Sequence, residues 1–371
     1  MGSEMCIRDS LPTFARFRPL RSPILGPGTG LNRANRPEVS KEPRSRLAAV
    51  TEQRVPLYGA PVVAHVVRSG FVESVHHGSV VALDAQGSIL LTVGDVAGPI
   101  FPRSSSKPIQ ALAMLRAGLD LDGELLALAT ASHSGEWFHL EGVQRILAGA
   151  GLSEQDLQNM PGLPYGEPER SAWIVAGREA SPLAQNCSGK HAAMLATCVA
   201  AGWDTSTYRE PQHPLQQLIA GTLADLSGEH AAAVGVDGCG APVHAVSLTG
   251  LARAFSRIAA APEGSDEARL AAAIRAYPQW LGGTGRDVTA LIRGVRGLIA
   301  KDGAESVYAV GLADGRAVAL KIADGGQRAR PVVMAAALLR LGIDAEVLDE
   351  MADAPVLGHG VQVGSIEAVG I

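Results

Sequence analysis

From Pro61 the chain alternates short β-branched runs with glycine-centred breaks. "PVVAHVVRSGFVESVHHGSVVALDAQGSILLTVGD" is interrupted at Ser-Gly, His-Gly and Gln-Gly, the pattern of an antiparallel meander. The period then changes: in "KPIQALAMLRAGL", Ile109, Leu112, Met114 and Leu115 share a helical stripe that Gly118 closes. "LLALATASHSGE" predicts a short buried strand running into a polar loop, "FHLEGVQRILAGAGL" a helix, and "SEQDL" the start of another behind a serine cap. Residues 160–189 hold four prolines and several glycines; an irregular stretch of this length predicts a functional loop. Helices are expected over about 190–202 and 213–227, a strand leads into "GVDGCGAPVH", and helical stretches fill about 247–295. "LIAKDGAESVYAVGLADGRAVALKIAD" reads as a strand, a turn and a hairpin around Asp314-Gly315. "PVVMAAALLRLG" reads as a helix with proline at an early position. Strands at both ends thus enclose a helical middle, which predicts an α+β layered fold with one antiparallel sheet built from N- and C-terminal strands.

The first 50 or so residues lack this patterning. They are rich in Arg, Pro and Gly, with no apolar periodicity and no continuous hydrophobic region of a signal peptide. "MCIRDS" back-translates to a stretch that resembles a sequencing adapter. The expectation is a disordered, dispensable and non-native extension over 1–55, followed by a single catalytic domain over 56–371.

Bulk properties narrow the function classes. The 371 residues are 47% hydrophobic with a formal charge of −5, enough apolar material for a large core. Mild acidity argues against nucleic acid or an anionic membrane as partner, and no apolar run approaches the ~18 residues of a membrane span. Four cysteines (Cys6, Cys187, Cys198 and Cys239) in so long a chain suit a reducing cytoplasm. Lysine usage carries more. Of 32 Lys+Arg, only Lys41, Lys107, Lys190, Lys301 and Lys321 are lysine. Where arginine has taken over ordinary surface positions, a remaining lysine points to a need for an amine that can lose its proton.

Ser104 and Lys107 form the one S-x-x-K of the chain. Positions i and i+3 share a helix face, and a desolvated amine at the positive end of a helix dipole favours its neutral form. Such an amine can deprotonate a serine whose own N–H stabilises an oxyanion. Pro108 has no N–H for the Ser104 carbonyl, so the helix is expected to tighten or start late and leave Ser104 at its tip. The plain alternative is a serine cap beside a solvated lysine. "ASHSGE" offers Ser132, His133, Ser134 and Glu136 where a buried segment ends, as pocket linings do, with turn chemistry the alternative for Ser134-Gly135. "NCSGKH" and "VDGCGAP" place Cys187, Lys190, His191, Asp237 and Cys239 in glycine-flanked turns, a two-cysteine metal site, two unrelated buried thiols or a redox disulfide. Cys198, mid-helix beside Met194, reads as core. Lys301 in "IAKDG" ends a strand and points into a sheet-edge site or into solvent.

Taken in order, "VVRSGFVESVHHGSVVALD", "GPIFPRSSSKPIQAL", "SHSGE", "NCSGKHAAML", "DGCGAPVHAVSL", "GGTGRDVT" and "AKDGAESVYAVGL" resemble the rhizobial-type, or class 3, L-asparaginases of the asparaginase II family over about residues 57–371. The resemblance implies a fold similar to serine β-lactamases and glutaminases. It implies hydrolysis of L-asparagine to L-aspartate and ammonia through an acyl-enzyme, with Ser104 paired to Lys107 and Ser132, in preference to Ser134, paired to Lys301. It places Arg103, Ser134 and Asp237 at the substrate and Cys187, Lys190 and Cys239 around a zinc ion that tunes substrate binding. It further implies a cytoplasmic homodimer with a small-molecule substrate and neither nucleic acid nor membrane as partner. One departure is Tyr277-Pro278, where the resemblance puts histidine before the proline. The alternatives are another Ser-Lys amidohydrolase, β-lactamase-like or peptidase-like, and a zinc-containing protein that binds asparagine without turnover.

Overall fold

Eleven strands and twelve α-helices follow one another in the described part of the chain, which in this computed structural model is residue 57 and residues 59–371. The expected extension over 1–55, Cys6 included, lies outside the described residues. The strands are β1 Val62–Arg68, β2 Phe71–Leu83, β3 Ile89–Val93, β4 Pro99–Ile100, β5 Ala233–Val236, β6 Pro242–Ser247, β7 Leu298–Gly303, β8 Val307–Leu312, β9 Ala317–Ile322, β10 Pro355–Gly358 and β11 Val361–Ala368. The helices are α1 Lys107–Arg116, α2 Gly123–Ala129, α3 Trp137–Gly149, α4 Glu167–Val175, α5 Ser188–Ala201, α6 Pro214–Ser227, α7 Leu248–Ala259, α8 Asp266–Ala276, α9 Pro278–Leu281, α10 Asp287–Gly294, α11 Arg330–Arg340 and α12 Glu346–Ala352.

The main sheet runs β10-β11-β1-β2-β9-β8-β7, with β3 also paired to β2, and every pairing is antiparallel. N- and C-terminal strands therefore do share one sheet. The junction is β2, whose first half pairs with β1 and whose second half, Gly78–Leu83, pairs with Ala317–Ile322 of β9. A second, small sheet has the order β4-β6-β5.

All residues of β7, β8 and β9 are buried, which requires cover on both faces of the sheet. Strand alternation identifies the two covers. Gly311 faces α7 so closely that a Cβ there would lie 2.3 Å from the Phe255 carbonyl oxygen. Tyr308, of opposite parity, lies beneath the Arg330 guanidinium of α11 at 5.1 Å. Cross-strand partners share a face, so Lys301, opposite Ala309, starts on the α7 side, and Asp302, opposite Tyr308, on the α11 side.

Behind α7 lies the helical middle. Helix α1 is buried from Lys107 to Leu115 because α5, α6 and α8 pack around it. A helix apolar on all sides belongs in the centre of such a layer, and its first residue is consequently buried too.

Three elements differ from the sequence expectation. "LLALA" is helix α2, not a strand: Leu and Ala are strong helix formers, a short apolar run carries no decisive period, and the Asp122 side chain caps the Gly123 N–H at 2.8 Å. Within 160–189 lies the helix α4, which buries no residue. "SEQDL" forms only a 3₁₀ turn, Glu154–Asp156, behind Ser153.

Candidate active site

Arg103–Ser106 form a 3₁₀ turn ahead of α1, and the Lys107 N–H bonds the Ser104 carbonyl. The local cause is Pro108, which has no N–H to offer that carbonyl, so the expected tightening occurs. In a 3₁₀ turn residues i and i+3 eclipse, which sets Ser104 and Lys107 on one side. The turn is entered through Arg103 at φ +53°, a left-handed conformation costing about 1–2 kcal/mol in a residue with a side chain. Two bonds hold it there: Arg103 Nε donates to Asp237 Oδ1 at 2.7 Å, and Ser106 Oγ donates to the Arg103 carbonyl at 2.8 Å.

The Lys107 amine has three partners: the Ala131 carbonyl, Ser132 Oγ at 3.1 Å and Cys187 Sγ at 3.2 Å. Ser104 Oγ is not among them. The loop carrying Ser132 is laid down by its backbone, since Ser132 N–H donates to Leu281 O, His133 N–H to Asn186 O and Ser134 N–H to Gly282 O. Ser134 Oγ also donates to Gly282 O, at 3.1 Å. Its hydroxyl thus ties two loops together, whereas the expectation placed it at the substrate.

Lys301 does not pair with Ser132. Its amine donates to Asp302 O at 2.8 Å and Asp302 Oδ1 at 2.6 Å, and the Ser-Lys pairing expected for Ser132 is instead made by Lys107. The reason is reach: Asp302, the next residue along, is held at the strand end by Arg286 Nη2 at 2.6 Å and Arg330 Nη1 at 3.4 Å. Arg330 is itself clamped on Asp287 at 2.9 Å and 3.1 Å. Burial brings the Lys301 amine down to about 8 against the opposing pull of Asp302, helped by the charges of Lys107 and Arg286. For Asp302 the cost of burial is outweighed by Lys301, Arg286 and Arg330, which hold its carboxyl well below the usual range. The strand end also touches the serine turn. Gly303, on the same face as Lys301, sits where a Cβ would lie 2.7 Å from the Pro102 carbonyl and 3.2 Å from the Ser105 nitrogen. Lys301 therefore emerges toward the Ser104 turn.

Cys187, Lys190 and Cys239, the three residues that the resemblance groups, lie close together. Lys190 Nζ donates to Cys239 Sγ at 3.1 Å, and Cys187, Cys239 and Ala241 form a buried cluster of their own. A hydrogen bond with Cys239 and burial push the Cys187 thiol up to about 12. The same bond, against the cost of burial and with Lys190 nearby, draws Cys239 down to about 4. Despite burial, Cys239, Cys187 and Asp237 hold Lys190 as the ammonium. No group of three or more His, Cys, Asp or Glu among the described residues is placed to hold a metal ion, so a metal here needs Lys190 as its third ligand. Two sulfurs and one amine in a single buried spot fit a borderline-soft ion such as Zn²⁺. The free set satisfies itself as a thiolate–ammonium pair.

Two charged neighbours escaped the sequence reading as site residues. Asp302 and Arg286 stand inside quoted motifs, but their meeting requires the fold. His133 Nε2 bonds Ser188 Oγ at 2.8 Å, and His191 Nδ1 bonds the Tyr208 hydroxyl at 2.6 Å. Burial drives both imidazoles well below their usual range, so they stand neutral beside the cluster. Cys198 is core, as expected.

The buried amines of Lys107 and Lys301 and a tight serine turn lie where the end of the sheet meets the helical layer. The model of the L-asparaginase II family matches residues 64–368, and the chain belongs to that family of amide-cleaving hydrolases. No curated protein matches it in sequence. Among solved structures it is similar to Mglu in its native form, with 13% identity over 71% of this chain and 63% of that one, at a TM-score of 0.39. A β-lactamase (Mb2281c) from Mycobacterium bovis shows 14% identity over 77% and 98% of the two chains, with a TM-score of 0.39. EstCE1, a hydrolase with promiscuous acyltransferase activity, shows 14% identity over 75% and 93%, with a TM-score of 0.38. The chain thus spans less than two thirds of the length of Mglu. No helix of the described residues is long and apolar enough to cross a membrane.

Proposed function

We propose that the protein is an L-asparaginase working through an acyl-enzyme on Ser104. The observation that carries this reading is the hydrogen bond between Lys107 and Ser132 directly beside the Ser104 turn, in a chain of the L-asparaginase II family. Ser104 Oγ attacks the side-chain amide carbon while Lys107 takes its proton. Ser132, bonded to Lys107, passes a proton to the departing nitrogen, so that the C–N bond breaks and ammonia leaves an ester on Ser104. Lys301, with its amine lowered to about 8, draws a proton from the attacking water, and the ester resolves to L-aspartate and free serine.

The substrate's ends carry opposite charges. Arg103 and Asp237, paired at 2.7 Å near the turn, offer a cation for its carboxylate and an anion for its ammonium. Zinc belongs to this reading as the ion that Cys187, Lys190 and Cys239 would hold. Held there, it would tie the 187–190 turn to the 237–239 loop, which already meet, and would act on substrate affinity. A homodimer in a reducing cytoplasm completes the reading; light scattering tests the dimer. Ammonia release from asparagine by the purified protein tests the activity, and hydrolysis of a chromogenic β-lactam in its place would favour the β-lactamase-like alternative.

A further inference from the structure

Arg286 touches three parts of the site at once. Its Nη2 donates to Asp302 Oδ2 at 2.6 Å, its Nη1 donates to the Ser132 carbonyl at 3.4 Å, and its guanidinium lies 4.7 Å from the centre of the Tyr165 ring. Asp302 in turn holds Lys301 at 2.6 Å, and Ser132 holds Lys107. Both lysines of the proposed mechanism are therefore one residue removed from the same guanidinium. Tyr165 is exposed and lies in the irregular stretch just before α4, a helix with no buried residue.

We propose that Arg286 is a positioning residue that fixes Lys301 and Ser132 relative to each other, and that Tyr165 makes this placement depend on the segment around α4. The inference rests on the hydrolytic reading above. Arg330 does not duplicate the role: its fork is spent on Asp287, and it meets Asp302 only at 3.4 Å. A planar fork can hold a carboxylate and a carbonyl together, and stacks on an aromatic face; a lysine ammonium at this place keeps the charge but not the fork. The groups facing Lys301 are Asp302 from its own strand, Lys107 from α1 and Arg286, with Tyr308 of β8 and Arg330 of α11 around Asp302. Of these, Arg286 is the one that also touches the α4 segment.

With five lysines in the chain, ¹⁵Nζ resonances in lysine-labelled protein can be followed against pH and Lys301 assigned by its loss in Lys301→Met. In the wild type it should titrate near 8. Arg286→Met should move the midpoint upward by about one pH unit, because a neighbouring cation is lost and Asp302 turns wholly to Lys301. Arg286→Lys should leave the midpoint in place and lower kcat by roughly 10²-fold through misplacement. Tyr165→Ala, at an exposed site, should shift the midpoint in the same direction by less, and Tyr165→Phe should not. A wild-type midpoint in both Arg286→Met and Tyr165→Ala overturns the proposal; if Arg286→Met does not fold, the two Tyr165 variants decide. Absence of ammonia release by the wild type would sink the asparaginase reading alone, because the titration requires no substrate.

Discussion

The Lys107 amine stands between Ser132 Oγ at 3.1 Å and Cys187 Sγ at 3.2 Å, so a single side chain joins the proposed serine chemistry to the proposed metal cluster. Truncating either neighbour frees the amine in a different direction. Ser132→Ala should lower kcat by about 10²–10⁴-fold, the worth of a positioned proton carrier, while Cys187→Ser should act mainly on KM. Steady-state kinetics on both variants separates the two. Equal loss of kcat in both would mean that the sulfur, too, serves the chemistry.

Ser104→Ala should remove asparagine hydrolysis by about 10³-fold or more with the fold intact, since Ser104 is only half-buried and its hydroxyl supports no neighbour. Mass spectrometry after mixing with a slow ester substrate should show an acyl adduct in the wild type and none in the variant. An adduct mapped to Ser132 in either would reassign the nucleophile.

Gly303→Ala is expected to damage activity without contact with substrate. The backbone there is extended, so alanine is tolerated locally, but its Cβ would press on the Pro102 carbonyl at 2.7 Å. The serine turn has to move. A loss of roughly 10–10²-fold in kcat/KM with an unchanged melting temperature is the expected result; activity equal to the wild type would show that the turn tolerates displacement.

Lys301 sets a pH dependence of definite sign. Its amine loses its proton near 8 in the folded chain, against a usual value of 10.5. If the neutral amine is the base, kcat/KM should rise with pH through about 8 and then level off. Stability moves the same way. Between about 8 and 10.5 the unfolded chain binds the extra proton, so unfolding free energy increases with pH, by about 3 kcal/mol across the window. Below 8 the cost of the buried charge is present in full. Urea titrations at pH 7 and pH 10 should show this rise in the wild type and a smaller one in Lys301→Met.

Protein purified without chelator should carry about one zinc per chain. Removing it should raise KM for asparagine more than it lowers kcat, and Cys239→Ala should do the same. Zinc-free protein with unchanged KM in Cys239→Ala would falsify the metal assignment.

The β-branched runs and their glycine-centred breaks were enough to place the meander and the C-terminal hairpin, because turn chemistry marks strand ends even where both faces are buried. That N- and C-terminal strands share one sheet was legible too, though not that β2 and β9 join them. Helix α2 was not, since "LLALA" is apolar in any period and only its packing decides. The described lysines are not surface residues, since Lys107, Lys190, Lys301 and Lys321 are 1%, 1%, 0% and 7% exposed, yet burial does not make every one a base, for Lys190 is held as the ammonium. What spacing could not convey is which partner each amine meets. Ser132 is 25 positions from Lys107, and only the landing of its loop on residues 186 and 281–282 brings them together. Asp302, by contrast, sits next to Lys301 in the sequence, where a carboxylate beside a buried amine was a readable sign.

The burial of all four described lysines leaves the folded surface around them without primary amines. Succinimidyl esters or glutaraldehyde, which couple to exposed amines, would find no ready lysine among the described residues. Attachment through the folded part would have to wait for the site to open and would then strike Lys107 or Lys301. Immobilisation by amine coupling to the described residues should therefore modify the interior and silence the protein.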